Sequence, residues 1–171
     1  MASRILKALQ EVGTHAVGNL NSLKVKTVAN GALIEGADVD NFTLVELGFN
    51  ADGERVAKQL SAVDKKAYLI AAPETRYLGE AMADFYNAVG DRARIVILEE
   101  AYTRFDTSAF TGTPENGKFA HFDPVTKKFL IHDGAHADYA TASAKFLVVS
   151  NEDDMEYTLG APMVRLEVIE A

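Results

Sequence analysis

The sequence predicts a mainly β protein with some α (α+β): two related small β-barrel or β-sandwich modules, a short N-terminal helix and arm, and one middle helix. Three observations carry this reading. From Val25 onward, short apolar runs of period two ("VKTV", "ALIEG", "TLVEL", "RVAKQL", "AYLIAA") are divided by the turn-forming stretches "NG", "GADVDN" and "NADG", the grammar of a β meander. The stretch "LVELGFNADGERVAKQL", residues 44–60, is echoed by "FAHFDPVTKKFLI", residues 119–131, about 75 positions later. Helical periodicity is confined to the N-terminus and to a stretch after Pro73.

In chain order, residues 1–24 read as a helix and arm. Ile5, Leu9 and Val12 are spaced by four and three, the stripe of a short amphipathic helix. A helix of this length gains its stability by packing on something else, either its own domain or a neighbouring subunit, so these three residues are the interface candidates. "GTHAVGNLNSL", residues 13–23, lacks a clear period and reads as an extended arm or loop. Residues 25–100 form the first module. Its 44–60 hairpin turns at Asp52–Gly53, where a two-residue turn needs positive φ. Leu78, Ala81, Met82, Phe85 and Val89 place a helix over 75–89, ended by Gly90, and "ARIVILEE" follows as a buried strand. Residues 101–116 read as a connecting segment with strand and loop character, and residues 117–171 as the second module.

The halves align in order. "TLVELGFNADGERVAKQ" answers to "KFAHFDPVTKKFLIHDG", "AYLIAAPETRY" to "KFLVVSNEDDMEY" and "ARIVILEEA" to "VRLEVIEA". A period of about 75 residues present in only two copies is too long for a solenoid or propeller blade, which favours a pseudo-symmetric sandwich or a pair of barrels.

Composition narrows the function. With 171 residues, 48% apolar and 25% charged, the chain is sized and composed as a globular protein. No apolar run approaches the roughly 18–20 residues that span a bilayer, and the N-terminus lacks an uninterrupted signal-peptide core, so no membrane association and synthesis in the cytoplasm are expected. The absence of cysteine removes disulfides, thiolate nucleophiles and Cys-ligated metals. A net charge of −8 opposes binding to nucleic acid.

Four histidines invite a search for metal chemistry. His132 and His136 in "HDGAHAD" have the right separation for one helix face, but Gly134 lies between them and no Glu follows the first His as zincin chemistry requires. With His121 and Asp133 or Asp138 they reach three ligands only if the "KFAHF" hairpin folds beside that loop. Solvated loop histidines are therefore the expectation, with no metal and no cofactor assigned. "NEDDMEY" lacks the donor pattern of a calcium loop and reads as a solvated acidic turn. No nucleophile elbow, phosphate loop or dinucleotide fingerprint is present. Six Tyr and nine Phe fall mostly at strand positions and read as core rather than as a binding platform. No catalytic residue is expected.

The order "NFTLVELGFNADGERVAKQLSAVDKKAYLIAAPE", followed by "GDRARIVIL", resembles the small β-barrel modules of tailed-bacteriophage capsid decoration proteins and head fibres. "VGNLNSLKVKTVANGALIEG" and "ARIVILEEAYTRFDTSAF" are likewise similar to structural proteins of phage genomes. The resemblance covers residues 25–100 and, more loosely, 117–170. It implies a non-enzymatic virion protein made in the host cytoplasm. Its partners would be the major capsid protein or other virion proteins, its copies would repeat on the head in trimeric packing, and the N-terminal arm would anchor it. The chain is larger than the simplest decoration proteins, which leaves a neck or tail position open; a sugar- or protein-binding β module and a metal-dependent enzyme built on "HDGAHAD" are the readings from other classes.

Overall fold

The computed structural model describes residues 15–74, 82–157 and 161–171. In chain order its strands begin with β1 (Gly18–Leu20), β2 (Ala32–Ile34), β3 (Leu44–Phe49), β4 (Arg55–Gln59), β5 (Tyr68–Ile70), β6 (Arg92–Ala93) and β7 (Ile95–Val96). They continue with β8 (Arg104–Thr107), β9 (Phe110–Thr111), β10 (Phe119–Asp123), β11 (Lys128–His132), β12 (Lys145–Val148), β13 (Glu156–Tyr157), β14 (Ala161–Pro162) and β15 (Val164–Glu170). One α-helix, α1 (Ala137–Thr141), and a single 3-10 turn at Met82–Asp84 are the described helical elements. Among the described residues no helix is long and apolar enough to cross a membrane.

The protein is mainly β, and its strands fall into two large sheets. The first has the order β6-β2-β4-β3-β5-β7, and the second β1-β8-β15-β12-β10-β11-β9, with β13 and β14 as a separate ribbon. Inside both lies one repeated arrangement. β2 pairs parallel with β4, and the order runs on antiparallel through β3, β5 and β7. β9 likewise pairs parallel with β11, and the order runs on antiparallel through β10, β12 and β15. Registers correspond too: Leu44 faces Leu69 as Phe119 faces Leu147.

The repeat reaches further back than the sequence alignment. Thr27 bridges Val96 beside β7, as β8 pairs along β15. Each copy thus opens with an extended stretch near one edge of its sheet and turns within a few residues into β2 or β9 near the opposite edge, which nearly closes the sheet on itself. Near-closure limits the unpaired edge that a sheet exposes to other chains.

Two expectations change. Residues 101–116, read as a connecting segment with strand and loop character, supply β8 and β9 to the second sheet; so short a run looks like a link until β15 pairs with β8 and β11 with β9. The helix placed over 75–89 falls partly outside the described residues. From Met82 on the chain makes only the 3-10 turn and then a bridge from Asn87 to Val39, with Phe85 and Tyr86 buried. Over its second half the arm packs on this chain's own second sheet: Val17 is 1% exposed, its N–H donates to Ser108 Oγ at 2.9 Å, and β1 pairs with β8. A Cβ on Gly18 would lie 2.3 Å from a ring carbon of Phe42, so the close approach requires glycine. Ile5, Leu9 and Val12 lie outside the described residues.

The core explains why two sheets make one body. Strand alternation sends Leu44, Leu69 and Val96 of the first sheet into one apolar cluster with Phe105, Phe122, Phe129, Phe146, Val148 and Leu166 of the second. The opposite face of the first sheet buries Val45, Ile70, Ile95 and Ala57 with Ile34, Val39 and Phe85. β5 is thereby covered on both sides. Four phenylalanines form the centre of the shared cluster, with ring centroids 5.2–5.7 Å apart in tilted or edge-on contact.

The β3–β4 turn differs in one detail from the expected two-residue form. Gly53 N–H donates to Asn50 O at 3.1 Å, and Asn50 Oδ1 accepts from the N–H groups of Asp52 and Glu54. Only Gly53, at φ 77°, takes the left-handed conformation within the turn, so it is a three-residue loop closing on glycine. Replacing Gly53 with Val is therefore expected to cost about 1–2 kcal/mol, whereas Asp52→Val, which keeps the backbone bonds, should cost much less. Thermal melts of the two variants check this. Equal losses would remove the assignment.

Candidate functional site

Three histidines meet on the outer face of the β10–β11 hairpin. Ala120 and Phe122 of β10 point into the core, so His121 between them points away from it. It is nevertheless 1% exposed, because the chain after β11 folds back over it. Gly134, at φ 93°, makes the turn, and its close approach to the Phe119 ring leaves little room for a side chain. His136 then caps α1, its ring accepting from Asp138 N–H at 3.2 Å. The rings of His132 and His136 lie 5.0 and 4.8 Å from that of His121 and 5.6 Å from each other, and Tyr139 of α1 closes the cover 4.7 Å from His132.

The hydrogen bonds fix the protons. Gly134 N–H donates to His132 Nδ1 at 2.9 Å, so a neutral His132 carries its hydrogen on Nε2. That hydrogen points at His121 Nδ1, 3.0 Å away. Burial, followed by the neighbouring His132 and His136, lowers the His121 pKa to about 4. Burial and His136 also lower that of His132. Both rings are neutral at neutral pH, each with its one lone pair taken by the donor just named, so His121 carries its own hydrogen on Nε2.

The three candidate histidines of the sequence thus come together across a turn rather than along a helix. Of the two candidate acids, Asp138 joins them, its ligand atom within 4.8 Å of those of His121 and His136. Asp133 points to solvent, with its side chain 85% exposed. Tyr139 escaped the sequence reading because an aromatic in so short a helix has no recognisable period. His15 lies elsewhere, 2.6 Å from Asp40 Oδ1 and stacked on Tyr86. The acidic run does form an exposed turn at Asn151–Asp154, and Glu99 is engaged by Lys26.

The surface carries a second feature. Large apolar side chains stand exposed at the tips of both repeated hairpins: Phe49, 69% exposed and capped by the Arg55 guanidinium at 5.4 Å, and Val125, 88% exposed. Phe49 also borders a shallow groove with Val28, Leu47, Tyr68 and Ile97.

Comparison with known proteins gives the chain a lineage. It is 64% identical, over the whole of both chains, to the SPbeta prophage-derived uncharacterized protein YonC of Bacillus subtilis (strain 168). No solved structure matches it. Residues 11–169 match the family described as YonC prophage protein, and the chain belongs to that prophage-derived family.

Proposed function

We propose that this phage-derived chain is a non-enzymatic component of the virion, a capsid decoration or stabilising protein that binds the major capsid protein at the head surface through its N-terminal segment and its β modules. The observation that carries the reading is the pair of equivalent hairpins, each bearing an exposed apolar side chain, Phe49 or Val125, at its tip. Contiguous exposed apolar surface marks contact sites; Phe49 continues into the shallow groove of Val28, Leu47, Tyr68 and Ile97, and a rigid twin-sheet body holds the two tips in fixed relation. Trimeric packing would multiply these weak contacts through effective concentration.

The test is co-sedimentation of purified protein with phage heads that lack it. The parent should bind. Phe49→Ser with Val125→Ser should weaken binding by about tenfold or more, as loss of apolar anchors at an interface does, with an unchanged circular dichroism spectrum. Deleting residues 1–14, which removes Ile5, Leu9 and Val12 but spares β1, should also weaken it. Failure of the parent to bind, or indifference to all three changes, contradicts the reading. Binding to purified tails in place of heads would make the chain a neck or tail component.

A further inference from the structure

The histidine cluster is unexplained by a role in surface binding. A fully buried imidazole on the outer face of a hairpin is costly unless its polar atoms are used. His121 has two ring nitrogens; Nδ1 meets His132, and among the described residues nothing takes the other. The groups nearest to completing it are His136 and Asp138.

We propose that His121, His136 and Asp138 bind a divalent transition metal, with zinc the best match to the donors, and that His132 is the positioning residue that orients His121. Two imidazoles and a carboxylate form a borderline-soft set that suits zinc, and three protein ligands leave a fourth tetrahedral position for water. Ligand atoms around one tetrahedral zinc lie about 3.3 Å apart for bonds of about 2.0–2.1 Å. The three residues start within 4.8 Å of one another. The remaining contraction falls on His136 and Asp138, the more exposed members, which can turn towards the fixed His121. A ligating histidine donates its other N–H to an outer partner, and His132 Nε2 already sits 3.0 Å from His121 Nδ1.

This assignment has a structural consequence that non-specific binding lacks. When the metal takes His121 Nε2, the hydrogen moves to Nδ1 and the His121–His132 bond reverses direction. His132 must then carry its hydrogen on Nδ1, and Gly134 N–H loses its acceptor. The turn at 133–135 shifts, and the freed amide passes to water.

The experiment is isothermal titration of zinc chloride into tag-free, chelator-treated full-length protein at neutral pH, with amide NMR spectra before and after. One ion per chain is expected, with a displaced Gly134 resonance. His136→Asn, which retains a capping acceptor for α1, and Asp138→Asn should each weaken binding by about tenfold or more. His15→Gln, outside the cluster, should leave it unchanged. His132→Gln should weaken binding less than His136→Asn while abolishing the Gly134 response. Absence of binding to the parent overturns the proposal, as does affinity unchanged in His136→Asn or lost in His15→Gln.

Discussion

Phe129→Ala is expected to lower the stability of the whole protein by about 3–5 kcal/mol, the cost of a buried phenylalanine plus the cavity it leaves. Phe129 is fully buried and its ring lies against Phe105, Phe122 and Phe146 from three other strands. No single neighbour can collapse into the space. In a chain of this size the change corresponds to a fall of roughly 6–20 °C in Tm. Because Leu44, Leu69 and Val96 belong to the same cluster, the first sheet should lose its support together with the second. Hydrogen exchange checks this at residue level. If amides of β3 and β5 keep their full protection in the variant while those of β10 to β12 lose theirs, the halves have independent cores.

The second large effect is on acid stability. His121 titrates near 4 in the folded metal-free protein, against about 6.5 in an unfolded chain. A histidine with a depressed folded pKa binds its proton preferentially when unfolded. Its contribution is therefore fully present above pH 6.5, is lost as pH falls towards 4, and is gone below that. The groups around it are His132, His136 and Tyr139, with Asp138 and Asp123 pulling the other way. At about 1.4 kcal/mol per pKa unit the total is near 3 kcal/mol, of which about 2 kcal/mol falls above pH 5, before most carboxylates titrate. Urea unfolding of chelator-treated protein from pH 7.5 to pH 5 measures it. The parent should show this loss and His121→Gln should not. Parallel curves for the two proteins would mean that His121 protonates in the folded state without penalty.

The parts legible in the sequence were those where local chemistry and tertiary placement agree. Asn50 and Gly53 announce a turn between two period-two runs, and the same grammar around Asp123 announces its copy, where Asp123 accepts from the N–H groups of Val125 and Thr126. Illegible parts were decided by contacts from afar. "GADVDN" looks like a polar divider, yet Val39 and Asn41 are buried, and the Asn41 side chain pairs with both the C=O and N–H of Ala72 as a strand would. Leu78 to Val89 keep a helical period, but burial of Phe85 and Tyr86 and the Val39–Asn87 bridge govern the chain beyond Met82. β1 and β9 are too short to show any period and exist because β8 and β11 offer them a ladder. The histidines were individually visible. Their meeting depends on Gly134 turning the chain back over β10, which spacing along one helix could not reveal.

Quantitative mass spectrometry of purified particles from an induced lysogen asks whether the chain is built into the phage particle, as proposed above. The protein is expected in the particle fraction at many copies, in fixed ratio to the major capsid protein and enriched over the soluble lysate. Its absence from purified particles, while it is abundant in the lysate that produced them, would contradict the claim.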